Sequence, residues 1–201
     1  PCWGARLKLG GAALSFLRSC CMARTFAIGD IHGDREALEV LLERLPTLTA
    51  SDTLVFLGDY VDRGPDSAGV VRAVRALPSQ TPARVVTLRG NHEDKWIECY
   101  DEPAAGFLLP RGNGCQEMYR SFVGKPPLKP DEELASEDIL GLFDVRAWLP
   151  RDVVDWMSAL PLWYEDEHAI YVHAGLFGEG TEWQHPSTSR AASLLWMREP
   201  D

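Results

Sequence analysis

The sequence lacks the features that mark several common classes of protein. No apolar run approaches the roughly 18 residues that span a bilayer. The cysteines number five, which is odd, and show no CxxC spacing, so neither a disulfide framework nor a zinc ribbon is indicated. Basic residues are scarce, 20 against 30 acidic ones, and phosphate backbones are held through Lys and Arg. We therefore expect no membrane and no nucleic-acid partner, and a reducing compartment, the cytoplasm.

The length and composition suit one domain. The chain has 201 residues, of which 45% are hydrophobic and 25% charged, and this is ordinary for a folded domain with a substantial core. Residues 1–21 stand apart, because Met22 opens the first regular segment almost at once. We interpret residues 1–21 as an upstream extension that is not native, with a weak targeting segment as the alternative, and residues 22–201 as the domain.

Short apolar runs alternate with helical patterns in the first half of the chain. "FAI", "DTLVFLGD" and "ARVVTLRGN" predict buried strands, and "DREALEVLLERL", "DSAGVVRAVRAL" and "HEDKWIECY" predict the helices that follow them. Asp30, Asp59 and Asn91 come at the ends of the three strands. They are about 30 residues apart, the length of a strand, a crossover helix and the next parallel strand. The sequence therefore predicts an α/β sheet with these polar side chains at one edge, where ligands of such sheets bind.

The second half of the chain has a weaker pattern. Between Pro103 and Pro150, "RGNGCQEMYRSF" predicts a helix, and the proline-rich "VGKPPLKPDEELASED" is typical of a surface excursion. "PRDVVDWMSAL" predicts another helix, and "LPLWYEDEHAIYVHAGL" predicts two β segments. The second of these ends at His173, which adds a fourth polar group at a strand end.

These strand ends carry the donor atoms of a metal site. Carboxylates, imidazoles and an amide without a thiolate suit Mn, Fe or Zn, and the histidines make Mg a poorer match. Asp30 and His32 project to the same side of an extended segment, so they can chelate one ion. Asp59 can bridge to a second ion, which Asn91 and His173 would hold. Two such ions about 3.5–4 Å apart suit an in-line displacement on phosphorus.

The flanking residues fit phosphate chemistry. Arg63 and Arg89 carry guanidinium groups, which match phosphate oxygens bidentately. His92 directly follows Asn91 and can protonate a leaving alkoxide, while Asp62 can orient and charge that imidazole.

Each of these residues also has an ordinary structural alternative. Asp30 and His32 could cap a helix, the arginines could form surface ion pairs, and His173 could be a core histidine. We expect ordinary packing or surface roles for His168, His185, Trp148, Trp156, Trp163, Cys99 and Cys115.

Four motifs together resemble one family. "GDIHGD", "GDYVDRGPDS", "RGNHED" and "YVHAGL", in this order and spacing, are similar to the PPP family of serine/threonine protein phosphatases within the calcineurin-like metallophosphoesterases. "LPLWYEDE" and "LLWMRE" resemble its bacterial and phage branch. The resemblance covers residues 22–198. It implies an α/β fold, an αββα sandwich with two divalent metal ions between its sheets, manganese first and iron or zinc as alternatives.

The resemblance also implies an activity and a set of site residues. The activity is hydrolysis of phosphomonoesters, in the first place phosphoserine or phosphothreonine in proteins, by a hydroxide that the two metals activate. The implied metal ligands are Asp30, His32, Asp59, Asn91 and His173. The implied acid pair is Asp62 and His92, and the implied phosphate contacts are Arg63, Arg89 and, in "LLWMRE", Arg198.

One departure from the family pattern opens two alternatives. The family supplies a last histidine to the second metal from a Gly-His-Thr type segment, and the only histidine after His173 is His185, in the turn-like "EWQHPSTS". We therefore expect a C-terminally truncated chain with an incomplete second sheet. The alternatives to a protein phosphatase are a symmetrical diadenosine tetraphosphate hydrolase and a catalytically impaired binding module of the same fold. The presence of Asp62 in "DRGPDS", as a carboxylate partner for His92, favours the protein phosphatase over the tetraphosphate hydrolase.

Overall fold

The fold is built around a small parallel sheet. The computed structural model describes residues 23–129, 132, 134–179 and 182–197, so the interpretation of residues 1–21 lies outside it. Strands β1 (Thr25–Ile28), β2 (Thr53–Phe56) and β3 (Arg84–Thr87) pair in parallel in the order β1-β2-β3. The register sets Thr25 opposite Thr53, and Thr53 opposite Arg84. This confirms the three strands and the parallel arrangement that their spacing predicts.

Helices α1 to α3 follow the three strands, as the apolar patterns predict. Helix α1 (Arg35–Arg44) begins after Asp34, whose side chain accepts a hydrogen bond from the Ala37 amide, and α2 (Ser67–Ala76) is capped in the same way by Asp66. Helix α3 (Asn91–Asp101) begins directly at the end of the β3 loop. The sequence thus turns from strand to helix at each of the three polar clusters.

The remaining helices complete one core. They are α4 (Ala105–Leu108), α5 (Cys115–Val123), α6 (Ser136–Phe143), α7 (Val145–Trp148), α8 (Arg151–Ala159) and α9 (Ala191–Trp196), with 3₁₀ turns at Leu77–Ser79, Arg111–Asn113 and Pro186–Thr188. Helix α2 packs on α5, and α3 packs on α7 and α8. The helices predicted in "RGNGCQEMYRSF" and "PRDVVDWMSAL" are confirmed as α5 and α8.

The segment between Pro103 and Pro150 contributes to the interior as well as to the surface. Leu108, Met118 and Leu142 are fully buried in the same cluster as the strand residues of β2. Residues 124–129, in contrast, are mostly exposed and belong to no regular element, as the prolines predict. The surface excursion predicted in "VGKPPLKPDEELASED" is therefore confirmed for this loop, whereas the end of that segment begins helix α6 at Ser136 and buries Asp138.

Short antiparallel pairs make up the other β structure. Strands β4 (Trp163–Glu165) and β5 (Ile170–Val172) pair with each other, and so do β6 (Gly178–Glu179) and β7 (Glu182–Trp183). The two predicted β segments are thereby confirmed. Among the described residues, no helix is both long enough and apolar enough to cross a bilayer.

The residues for which we expect packing or surface roles are found in such positions. The Trp148 ring packs edge-on against Trp96, and Trp156 packs against Tyr60. Cys99 and Cys115 are buried free thiols. The side chains of His168 and His185 are 51% and 40% exposed, so neither is a buried ligand.

Candidate metal centre

The loops after β1 and β2 are joined by backbone hydrogen bonds at the carboxyl edge of the sheet. The amides of Ile31 and His32 both donate to the Asp59 carbonyl, at 3.0 and 2.9 Å, and the Gly33 amide donates to the Tyr60 carbonyl at 2.8 Å. Motifs that are about 30 residues apart in sequence therefore lie side by side. The predicted meeting of polar clusters at one sheet edge is what the structure shows.

Several residues of these loops have a backbone conformation that side chains disfavour. His32, Asp59, Asp62 and Arg63 all have positive φ angles, between 45° and 71°. Such conformations cost on the order of 1 kcal/mol or more and persist where the surrounding structure enforces them. Four of them within two adjoining loops make this sheet edge a candidate functional site.

Two glycines allow the β2 and β3 loops to touch. A Cβ atom on Gly58, whose φ is +107°, would lie 2.3 Å from the Gly90 nitrogen, and a Cβ atom on Gly90 would lie 2.2 Å from Asp59 Oδ1. Only glycine fits at either position. This close contact brings Asp59 and Asn91, which follow neighbouring strands, into one site.

The Asp59 carboxylate lies between two histidines. Its Oδ2 is 3.5 Å from His32 Nε2, and its Oδ1 is 3.5 Å from His173 Nε2. Asp30 Oδ2 lies 3.7 Å from His32 Nε2, and Asn91 Oδ1 lies 2.8 Å from His173 Nε2. The five predicted donors thus converge around Asp59, one of whose oxygens faces each histidine, as a carboxylate that bridges two metal ions requires. Two groups of donor atoms lie within 4.8 Å of one another, Asp30 with Asp59 and His173, and His32 with Asp59 and His92.

The histidine tautomers also suit metal binding. His32 Nδ1 lies 2.9 Å from the Val61 carbonyl and His173 Nδ1 lies 3.0 Å from the Leu57 carbonyl. A ring nitrogen that donates to a carbonyl leaves the other nitrogen of a neutral imidazole with a free lone pair. Burial lowers the pKa of His32, which favours the neutral form. His32 Nε2 is buried and has no hydrogen-bond partner among the described residues, so the donor set fits a cation.

His92 forms a buried pair with Asp62. Its Nδ1 lies 2.5 Å from Asp62 Oδ2, and the Trp96 indole donates to both oxygens of the same carboxylate at 2.9 and 3.0 Å. Burial lowers the pKa of His92, but the hydrogen bond to Asp62 and its charge outweigh that effect and raise the pKa overall. Burial raises the pKa of Asp62, against the effect of the imidazole. Since Asp62 holds Nδ1, the proton that can be given away is on Nε2.

Sequence analysis missed the role of Glu93. This carboxylate is fully buried and accepts hydrogen bonds from the amides of Asp59, Tyr60 and Gly90, at 2.8, 2.9 and 2.9 Å. Burial, with the charge of Asp59, raises its pKa to about 7. Glu93 therefore joins the loop that carries Asp59 to the loop that carries Asn91. Its place as the third residue of α3, where a Glu side chain can reach back to the amide of the residue before the helix, here Gly90, is a signal that could have indicated it.

The predicted phosphate-binding arginines differ in their surroundings. Arg63 Nη2 lies 3.4 Å from His92 Nε2, so its guanidinium borders the cluster. Arg89 instead donates to Asp94 at 3.2 Å and to the Ser158 carbonyl at 2.5 Å, and it is partly buried against α8. Arg198 lies outside the described residues.

Comparisons with known proteins bear on the family and the fold of the chain. A family model described as calcineurin-like phosphoesterase matches residues 23–200. A symmetrical bis(5'-nucleosyl)-tetraphosphatase of Janthinobacterium sp. (strain Marseille) is 29% identical over 178 residues, which are 88% of this chain and 52% of that protein. The protein of the same name in Stutzerimonas stutzeri (strain A1501) is 42% identical over 154 residues, 76% of this chain and 44% of that protein.

This chain spans about half the length of the curated relatives it matches. Among solved structures, a protein serine/threonine phosphatase from Saccharomyces cerevisiae matches with a TM-score of 0.49 and 18% identity, over 87% of this chain and 51% of that one.

Proposed function

Because this chain belongs to the calcineurin-like phosphoesterase family and has its α/β fold, we propose that it hydrolyses a phosphorus–oxygen bond at a binuclear metal centre. The observation that carries the proposal is the placement of Asp59 between His32 and His173, with Asp30 and Asn91 beside them. Asp30, His32 and Asp59 would hold one ion, and Asp59, Asn91 and His173 the other. Oxygen and imidazole donors without a thiolate favour manganese, with iron or zinc as alternatives.

The chain's own residues divide the remaining work. Two ions in such a site supply a nucleophile at neutral pH and stabilise the charge that develops on the phosphoryl oxygens. The Arg63 guanidinium, beside His92, binds a non-bridging phosphate oxygen. His92 donates its Nε2 proton to the leaving oxygen, and Asp62 holds the ring in the required orientation and stabilises its charged form.

The substrate we place first is a dinucleoside tetraphosphate. The two relatives described above are named symmetrical bis(5'-nucleosyl)-tetraphosphatases, and this supports the alternative from the sequence more than it supports a protein phosphatase. Symmetrical cleavage would release two nucleoside diphosphates. The leaving group would be a phosphate oxygen, which is a stable anion.

One observation favours a second candidate, a phosphomonoester such as phosphoserine. The leaving group of that reaction is an alkoxide, which needs a proton far more than a phosphate does. The buried pair of Asp62 and His92, joined at 2.5 Å, is suited to supply it.

A substrate panel tests the proposal. The chain is assayed with Mn²⁺ against diadenosine tetraphosphate, p-nitrophenyl phosphate and a phosphoserine peptide, with Asp59→Asn as the control for contaminating enzymes. We expect adenosine diphosphate as the only nucleotide product, and no product from the control. Cleavage of the peptide without cleavage of the dinucleotide would establish the second candidate. Bound metal without turnover on any substrate would contradict both and support an impaired binding module.

A further inference from the structure

A cavity of about 770 Å³ opens beside the candidate metal centre. Arg63, Asn91 and His92 line the end near the metal centre, which we call its inner end, and residues between Lys95 and Asn113, together with Trp196 of α9, line the rest. We call this space the α3–α9 cavity. Its volume lies within the range of small-molecule sites, roughly 300–1,000 Å³. The metal ligands other than Asn91 do not line it, so its outer part is a separate space for a portion of the substrate away from the reacting phosphorus.

Two aromatic rings line the cavity. The Phe107 ring packs 6.0 Å from the His92 ring and 5.6 Å from the Trp96 ring, measured between centroids. Asn113 Nδ2 donates to the Phe107 carbonyl at 2.8 Å, which fixes the backbone of α4 there. Trp196, at the end of α9, is 38% exposed, and Lys95 Nζ lies 5.7 Å from its ring centroid. Both rings are therefore held in place with surface facing the cavity.

The charges of the outer cavity are unfavourable for phosphate. Glu98, Asp101 and Glu102 all line it, and the ammonium of Lys95 is paired with Glu98 at 2.6 Å. Asp101 is paired with Arg146 at 2.5 Å, so both of these cations are already neutralised by carboxylates of the outer cavity, and Glu102 adds a further negative charge that repels a polyphosphate chain. The same carboxylates accept hydrogen bonds from the exocyclic amino groups that adenine, guanine and cytosine carry. The outer part of the cavity thus suits an uncharged, flat group with amino donors.

From this placement we propose that the α3–α9 cavity binds the nucleobase of the departing nucleotide, stacked on Trp196 and Phe107. The departing side is assigned because His92, which donates its proton to the leaving oxygen, lies at the inner end of the cavity. The ligand class rests on the proposed function. The polyphosphate chain stays at the inner end, with Arg63 and the metal centre, and only the nucleoside reaches the carboxylates.

Binding of the product and of its base-free analogue tests the inference. Calorimetric titrations in the presence of Mn²⁺ compare adenosine diphosphate with inorganic pyrophosphate on the 201-residue chain. Stacking of a base on an aromatic ring changes affinity roughly tenfold or more on alanine substitution. We expect Trp196→Ala to lower the affinity for adenosine diphosphate about tenfold and to leave the affinity for pyrophosphate unchanged. Trp183→Ala is the matched control, since this indole is 67% exposed on β7 and does not line the cavity.

The possible outcomes separate this inference from the proposed function. Equal affinity for the two ligands, no measurable binding of adenosine diphosphate, or equal weakening of both by Trp196→Ala would overturn the base pocket. If Trp196→Ala selectively weakens the binding of adenosine diphosphate, and the parent chain does not cleave the dinucleotide, the base pocket is supported and the proposed reaction is refuted. Cleavage of the dinucleotide by a chain whose affinity for adenosine diphosphate is unchanged in Trp196→Ala would support the proposed reaction and refute the base pocket.

Discussion

Asp59 is the residue that the two halves of the metal centre share. Its carboxylate is 4% exposed, faces His32 with one oxygen and His173 with the other, and accepts the His92 amide at 3.0 Å. A buried carboxylate with histidines on both sides is stabilised by a cation. His92, in contrast, uses its Nδ1 on Asp62 and contributes no atom to the set of five proposed ligands.

This difference predicts two distinct phenotypes. Asp59→Asn should lose metal and turnover together, since asparagine tolerates the positive φ of that position but removes the bridging charge. His92→Asn should keep nearly all of its metal and lose turnover on an alkyl phosphomonoester by about 10²–10⁴-fold, the usual contribution of a general acid. Elemental analysis of the purified variants and steady-state kinetics make the comparison.

The loss of turnover in His92→Asn should be smaller on the dinucleotide, because its leaving phosphate oxygen needs the proton from His92 far less than an alkoxide does. Equal loss of metal in both variants would show that His92 is a ligand, because His32, Asp59 and His92 also lie close enough to hold an ion.

At the scale of the element, the contact between the β2 and β3 loops depends on Gly58. We expect Gly58→Ala to destabilise the fold by roughly 3 kcal/mol or more, because the added Cβ meets the Gly90 backbone and the φ of +107° is strained for alanine. Urea unfolding measures the change.

Gly106→Ala is the matched control for Gly58→Ala. Gly106 lies in helix α4, and an added Cβ there would meet no described atom within 4 Å beyond its own helix backbone and chain neighbours. This change should alter stability by no more than about 1 kcal/mol, in the stabilising direction. Equal unfolding midpoints for the two variants would mean that the loop contact is not required.

The residues just before strands β1 and β2, Arg24 and Asp52, are joined by the Asp52 carboxylate. This carboxylate accepts hydrogen bonds from Arg24 at 2.9 and 2.7 Å and from the Thr49 amide at 2.7 Å. The Arg24 hydrogen bonds, more than the opposing effect of burial, hold the pKa of Asp52 well below its usual range. A carboxylate with a lowered pKa stabilises the fold above its ordinary pKa, and that stabilisation is lost as the pH falls through the folded value.

The direction of this pKa shift predicts how the effect of Asp52→Asn on stability depends on pH. At pH 7 the variant should melt several degrees below the parent chain, and the difference should shrink as the pH falls below about 4. Differential scanning calorimetry across this range measures it. Asp152→Asn is the control, since its carboxylate is 68% exposed in a pair with Arg75 and should change the midpoint little at any pH. A constant difference for Asp52→Asn would mean that its charge is not involved.

The elements themselves were predictable because their signals are local. Apolar runs such as Leu54 to Phe56 end in glycine and aspartate, and the leucine spacing of α1 has a helical period. The prediction was weaker after Pro103, where the helices are short and are stabilised by contacts with distant residues. Leu108 and Leu142, for example, are buried by the common core, which no local period reveals.

At the scale of the whole molecule, the site was predictable as far as strand order allowed. Parallel strands carry their following loops to one edge, so Asp30, Asp59 and Asn91 could be placed together from spacing alone. Glu93 could not be assigned, because its three backbone partners come from two loops that meet only in the fold. The same is true of Phe107, whose position beside His92 depends on the packing of α4.

Metal binding should stabilise the whole fold, because its donors come from separate strand-end loops and His32 Nε2 has no hydrogen-bond partner among the described residues. A ligand that binds only the folded state at 100 times its Kd adds about 2.7 kcal/mol, which is a rise of roughly 5–10 °C in a domain of this size. We expect Mn²⁺ to produce this rise, Mg²⁺ to produce a smaller one because of the imidazole donors, and EDTA to reverse both. Asp59→Asn should abolish the rise and His185→Ala, at an exposed histidine, should preserve it. A rise that survives in Asp59→Asn would place the stabilising ion elsewhere.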